Sequence, residues 1–309
     1  MDEKSMQIAN FNITFGASGE PMLTHFEDII YPVLTGDYIR GKKDELPQYY
    51  FDNVHVREID DEYVVVGNYV KSMVYKVKTT YEDGELVSSP EDVPTAPYSR
   101  FIIFLRNHRM ILVKNETKSP DVRSFQKTLR EILKKFIRER NDGLEKNKRL
   151  PYAITHIVGI PFEDTIEEVF LDISKINWIK LRFFPLNNDL DTLPIMKAFR
   201  DEMKAVGSKT GNLTMNSPSS KEGVKKALLS TGGLATASMQ VTDDDGETRN
   251  IKEDSFSANS HIAYEGNLAS SGDVYLVAQA KKNDAILTAS PDNVTLYERV
   301  KDRLKHLLS

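Results

Sequence analysis

The amino-acid sequence predicts an α+β fold. It has a first globular domain built on a mixed or antiparallel sheet with a basic amphipathic helix, and a second, smaller α+β domain. Three observations carry this expectation. Residues 1–114 are dense in alternating apolar residues and turn signals. Residues 121–140, DVRSFQKTLREILKKFIRER, have helical spacing with two distinct faces. After residue 150, strands alternate with short helices.

Taken in order, residues 6–15 alternate imperfectly (Ile8, Phe11, Ile13, Phe15) and read as a strand. GASG at 16–19 reads as a turn, because Pro21 and Met22 supply neither the lysine nor the helix start of a phosphate cradle. Residues 23–34 have helical spacing that Pro32 is expected to end or kink. Residues 49–59 alternate cleanly, with Phe51, Val54, Val56 and Ile59 as their apolar positions. Asp60-Asp61 makes a turn into residues 63–80, a stretch long for one strand, so a bulge or bend is predicted near Gly67. Asp83-Gly84 is a hairpin signal, and Pro90, Pro94 and Pro97 predict a loop. Residues 99–105 and 109–114 form a hairpin around Asn107-His108, and Ser119-Pro120 starts the basic helix.

In the second part, residues 152–160 read as a buried strand and 163–173 as a helix whose first-turn acids suit its dipole. Residues 178–185 read as a strand and 193–206 as a helix beginning at Pro194. Small polar residues at 207–220 predict a linker or mobile loop. A helix at 221–229 precedes strands at 234–241 and 248–256, joined by a turn at Asp245-Gly246, with another strand at 261–264. Residues 293–308 are amphipathic, with Leu296, Val300 and Leu304 on one face. The expected division is 1–150, completed by the C-terminal helix at 292–309, and 151–271 as a dimerization or swivel domain.

Composition narrows the chemistry. At 309 residues with 40% hydrophobic content, the chain can build more than one core. It has no cysteine, so disulfides, thiolate nucleophiles and cysteine zinc sites are excluded. No apolar run approaches the ~20 residues that span a bilayer. The N-terminus, MDEKSMQIANFNITF, has no apolar h-region, so a cytoplasmic location is expected. Walker, Rossmann and HExxH patterns are absent, and the six histidines lack ligand spacing, so neither a metal nor a cofactor is expected.

Charge is distributed unevenly. Between Arg123 and Arg149 stand ten Lys/Arg and four Asp/Glu, about +6, within a chain of net −5. Arg123, Lys127, Arg130, Lys134 and Arg138 stack along one side of the helix, opposite Val122, Phe125, Leu129, Ile132, Leu133, Phe136 and Ile137. The next loop adds Lys148 and Arg149. Such a ridge is either a solvated outer face or a polyanion contact surface. Acids at 58–62 and 243–247 either hold Mg²⁺ for phosphodiester hydrolysis or simply solubilise two turns. Lys71, Lys76 and Lys78 lack the acid two residues before them that a sheet nuclease wants. Tyr69, Lys71 and Tyr75 share one parity, as either a stacking surface or a core-facing strand.

The hairpin SRFIIFLRNHRMILVKN with its following helix, the run TIEEVFLDISKINWIKLRFFPLNND and the turn VTDDDGETRNIKEDSFSANSHI resemble the RexA-type phage-exclusion proteins and, more distantly, RdgC-type DNA-binding proteins. The resemblance covers residues 99–262, about half the chain, and includes no catalytic motif. It implies a homodimer that binds double-stranded DNA with little sequence preference, in phage exclusion or abortive infection, with a second domain that swings and dimerizes. The expected function is therefore non-catalytic DNA binding in anti-phage defence, with phosphate contacts from Arg123, Lys127, Arg130, Lys134, Arg138, Lys148 and Arg149. The alternatives are a Mg²⁺-dependent nuclease using Glu58, Asp60, Asp61 or the acids near Asp243, and a protein-interaction module with a partner from the same operon.

Overall fold

The computed structural model describes residues 2–42, 44–82, 84–257, 259–269 and 272–308. The first elements are β1 (Asp2–Phe15), β2 (Glu20–Pro21), α1 (Tyr31–Thr35), β3 (Ile39–Arg40), β4 (Gln48–Ile59) and β5 (Glu62–Glu82). Then come β6 (Glu85–Thr95), β7 (Tyr98–Phe104), β8 (Arg109–Lys114), α2 (Val122–Asn141) and β9 (Ala153–Gly159). The middle of the chain forms α3 (Glu163–Phe170), β10 (Ile173–Phe183), α4 (Pro194–Ala205), β11 (Gly211–Asn216), α5 (Lys221–Leu229), β12 (Ala235–Asp243) and β13 (Thr248–Lys252). It closes with β14 (Asn259–Tyr264), α6 (Asp273–Ala280), α7 (Asp284–Leu287) and α8 (Pro291–Leu304).

Two antiparallel sheets result, so the α+β class holds. Among the described residues the larger has ten strands, ordered β14-β1-β8-β7-β5-β4-β3, with β2 and β9 also on β1 and β6 on β5. Both faces of its inner strands are covered, which explains the continuous apolar runs at 64–66 and 101–105, while β6 and the distal half of β5 stay exposed. Val65, Phe101, Ile103 and Leu105 enter one core, with Phe125 of α2 and Tyr297 of α8. Val64, Val66, Ile102 and Phe104 enter the other, with Leu276 and Val277 of α6. The smaller sheet, ordered β11-β10-β12-β13, packs Ile179, Leu181, Phe183, Met239 and Val241 against residues of α3, α4 and α5. None of the residues of opposite parity on these four strands is buried.

Several expectations need correction. The strand at 152–160 pairs with β1, not with the second sheet, and so does β14. Their alternation matches β1: Ile157 joins one core of the larger sheet and Ile262 the other. An isolated bridge between Pro161 and Ser257 brings the two ends of the intervening segment together. Residues 207–220 contain β11, an edge strand whose Asn212, Thr214 and Asn216 read as linker because that face is open. Pro90 and Pro94 lie within β6 rather than in a loop, tolerated because β6 is an edge strand. Pro32 sits at the start of α1, after a π-helical turn (Phe26–Ile30) that widens the backbone ahead of it.

The irregularity expected near Gly67 lies in its partner, between Asp52 and His55 of β4, while Gly67 keeps register with Phe101. A Cβ on Gly67 would meet Phe101 Cζ at 2.6 Å and Val54 Cγ2 at 2.7 Å. Asp83 of the expected hairpin turn lies outside the described residues.

A buried polar seam joins the loop after β10 to the larger sheet. Asn10, Asn12 and Thr14 continue the parity of Ile8 along β1, and all three are fully buried. Asn187 N–H donates to Asn12 Oδ1 at 2.6 Å, and Asn12 Nδ2 donates to the Pro185 carbonyl at 2.8 Å. Arg109 donates to Asn10 Oδ1 at 2.7 Å and to Asp189 Oδ1 at 3.3 Å. Burial still raises the Asp189 carboxyl above its ordinary range, outweighing the charge of Arg109.

Candidate nucleic-acid interface

Helix α2 occupies the expected span, just after Ser119-Pro120, with Asp121 as its cap: the Asp121 carboxylate accepts the Ser124 N–H at 2.8 Å. Its expected apolar stripe is buried in full. Phe125 anchors it, with ring centroids 5.0 Å from Phe51, 5.2 Å from Tyr69 and 5.2 Å from Phe101. Tyr69 is a core residue and not a stacking platform: its hydroxyl bonds Thr128 at 2.6 Å and Ser124 at 2.8 Å. Tyr75 stays exposed, with the Lys118 ammonium 3.3 Å from its ring centroid.

All seven predicted contact residues are exposed, but they differ in what else they hold. Lys127, Lys134 and Arg138 have no hydrogen-bond or ion-pair partner among the described residues. They follow one ridge for about 16 Å at the rise of an α-helix. Arg123 reaches Asp254 at 3.6 Å, across to the turn after β13. Arg130 donates to the Thr155 carbonyl at 2.9 Å, while Gln126 Oε1 accepts the Ile157 N–H at 2.7 Å. These two side chains, one helical turn apart, satisfy backbone groups on the outer edge of β9. Lys148 lies 3.4 Å from Glu145, and Arg149 donates to the Leu144 carbonyl at 2.8 Å, so both loop residues are held within their own loop.

The sequence reading missed that the positive field continues beyond α2. On β9, His156 stacks on Phe184, with centroids 4.0 Å apart and planes at 5°. Burial, followed by the charges of Arg130, Arg182 and Arg200, holds its pKa down at about 3. The imidazole therefore stays neutral between cations contributed by α2, β10 and α4. No spacing rule in the sequence joins Arg130 to Arg182, because β9 brings them together only in the fold.

Among the acids at 58–62, Asp60, Asp61 and Glu62 have structural occupations. Asp60 and Asp61 turn the β4–β5 hairpin with φ of 52° and 61°. Lys281 lies 3.0 Å from Asp60, and Arg106 lies 3.0 Å from Glu62. Gly246, at φ 85°, turns the hairpin from β12 to β13. Among the described residues no cluster of three or more His, Asp or Glu side chains could hold a metal ion, and no helix is long and apolar enough to cross a membrane. No family model matches the chain, and comparison with curated proteins and with solved structures gave no match.

Proposed function

We propose that this protein binds double-stranded DNA without sequence selection, through the outer ridge of α2. The observation that carries this reading is the row Lys127, Lys134 and Arg138: exposed, unpaired among the described residues, and held on a helix whose other face is locked in the core. Unpaired cations on a rigid element can release the counterions of a phosphate backbone without first breaking an internal ion pair. Arg123 and Arg130 flank the row and would contribute while keeping their internal partners. The ridge reads charge and not base edges, so it supplies affinity and position rather than specificity.

A role in anti-phage defence, as a homodimer, belongs to the same proposal and rests on the family resemblance. The test is binding of a labelled duplex of arbitrary sequence and about 30 base pairs over a salt series, with and without Mg²⁺. Affinity that falls steeply with salt while the duplex stays intact supports the reading. No binding at low salt removes it, and cleavage that needs Mg²⁺ replaces it with a nuclease.

A further inference from the structure

The face of the smaller sheet opposite its helices has an unusual composition. Along β10, Trp178, Lys180 and Arg182 share this face, at steps of about 7 Å. Lys175 precedes them opposite Thr242, and Lys252 of β13 stands opposite Ser238 of β12. The remaining registered positions of this parity are Ser, Thr, Asn or Gln, and no acid is among the described residues there. None of Lys175, Lys180, Arg182 and Lys252 makes an ion pair among the described residues. The next acids along the chain, Glu253 and Asp254, belong to the turn after β13, and Asp254 is turned to Arg123.

Trp178 is the chain's only tryptophan, and it stands at this partly exposed position rather than in any of the three cores found among the described residues. Its indole already receives a cation, with the Lys180 ammonium 5.3 Å from the ring centroid. A flat aromatic face, unpaired cations one residue-pair apart and uncharged hydrogen-bonding neighbours match one ligand chemistry. Unpaired bases stack on the ring and offer their edges to amides and hydroxyls, while the phosphates meet the cations. A duplex cannot use the ring, because its bases are already stacked on each other.

We propose that this open face of the β11-β10-β12-β13 sheet is a binding surface for single-stranded nucleic acid. Trp178 stacks on a base, displacing the Lys180 ammonium toward the adjacent phosphate, and Arg182 and Lys252 hold the backbone. This surface shares no residue with the α2 ridge, so it stands or falls separately from the duplex-binding reading.

The lone tryptophan makes the test direct. The full chain is titrated at low salt with oligothymidylate of about 20 nucleotides while tryptophan emission is followed. The expected result is saturable quenching that weakens with salt and loses about tenfold or more in affinity in Lys180→Glu/Arg182→Glu. A Lys127→Glu/Lys134→Glu variant should quench as the parent does. Trp178→Phe, followed by anisotropy of a labelled oligonucleotide, should retain more affinity than Trp178→Ala. The proposal is overturned by an absence of quenching at low salt. It is equally overturned by equal affinity in the sheet variant, by duplex quenching as strong as single-strand quenching, or by emission that shifts with protein concentration alone, which would mark a self-association face.

Discussion

The guanidinium of Arg100 grips the carboxylate of Asp273 through two hydrogen bonds of 2.9 Å each, and both side chains are buried. Arg100 stands on β7 and Asp273 opens α6, so this fork fastens the helix to a strand far away in sequence. Asn68 accepts a further bond from Arg100 at 3.1 Å, and Arg57 reaches the same carboxylate at 2.8 Å. Every polar atom of the pair is occupied, which is the condition under which a buried ion pair is tolerated.

Removing one partner strands the other charge. Asp273→Ala is expected to cost about 3–5 kcal/mol in urea denaturation, while Arg100→Met combined with Asp273→Leu costs less than either single change. A double variant no more stable than Asp273→Ala would contradict this account. The pH dependence has a definite sign. Burial alone would raise the Asp273 carboxyl, but the hydrogen bond and charge of Arg100, joined by Arg57, hold it below its ordinary value. Its contribution is therefore complete above the unfolded carboxylate range and is lost as pH falls through the lower, folded value.

Two histidines act over a different pH window. Burial and then Arg109 hold His108 at about 3, and burial with Arg130, Arg182 and Arg200 holds His156 at about 3. Between the ordinary histidine value of 6.5 and these folded values, the unfolded chain takes up protons that the folded chain refuses. Stability therefore falls as pH drops through this interval, with a slope of up to about 1.4 kcal/mol per pH unit for each ring. His156→Gln should give a shallower fall between pH 6.5 and 4 than the parent, whatever its stability at pH 7. His108→Asn should do the same, since asparagine suits the φ of 55° at that turn. Parallel curves for parent and variants would show that neither ring resists protonation.

The ridge separates into two kinds of residue. Lys127→Glu, Lys134→Glu and Arg138→Glu together should weaken binding to every duplex and lower the salt slope by about 0.9 for each phosphate no longer neutralised, with no change in melting temperature. Arg130→Glu should weaken binding and also lower the melting temperature, because the Thr155 carbonyl loses its donor. Unchanged duplex affinity in the triple variant would exclude the ridge as the site.

Gly67 is held by volume rather than by backbone conformation. Gly67→Ala forces a methyl against Phe101 and Val54 and should cost about 1–3 kcal/mol in thermal or urea unfolding. Val54→Ala in the same chain should recover part of that stability; no recovery would place the strain elsewhere.

How much was legible in the sequence depended on whether the deciding interaction was local. The apolar stripe of α2, the Asp60-Asp61 and Asp245-Gly246 turns and the β7–β8 hairpin are set by neighbours a few residues away, and the structure has them where the spacing puts them. Membership of a sheet is not local: β9 and β14 look like neighbours of β10 and β12 in sequence, yet both pair with β1. β11 escaped notice because an edge strand with one open face carries the composition of a loop. The short helices α6 and α7 gave no clear periodic signal over so few residues. For the candidate site, exposure of the seven cations was legible. The sheet edge that occupies Arg130, the bridge from Arg123 to Asp254 and the nearness of Arg182 were not.

The pairing of β1 with β14 sets Asp2 beside Tyr264, whereas every strand of the smaller sheet lies between Ile173 and Lys252. During synthesis from the N-terminus, the smaller sheet has all its strands once Lys252 leaves the ribosome. The opening strand must wait for β14 and for the helices that follow it before either face of the larger sheet is closed. The half that is translated first is thus the half that finishes last. In the interval its two apolar faces lack the cover that α8 and α6 give them, and exposed apolar faces are the surfaces through which incomplete chains associate.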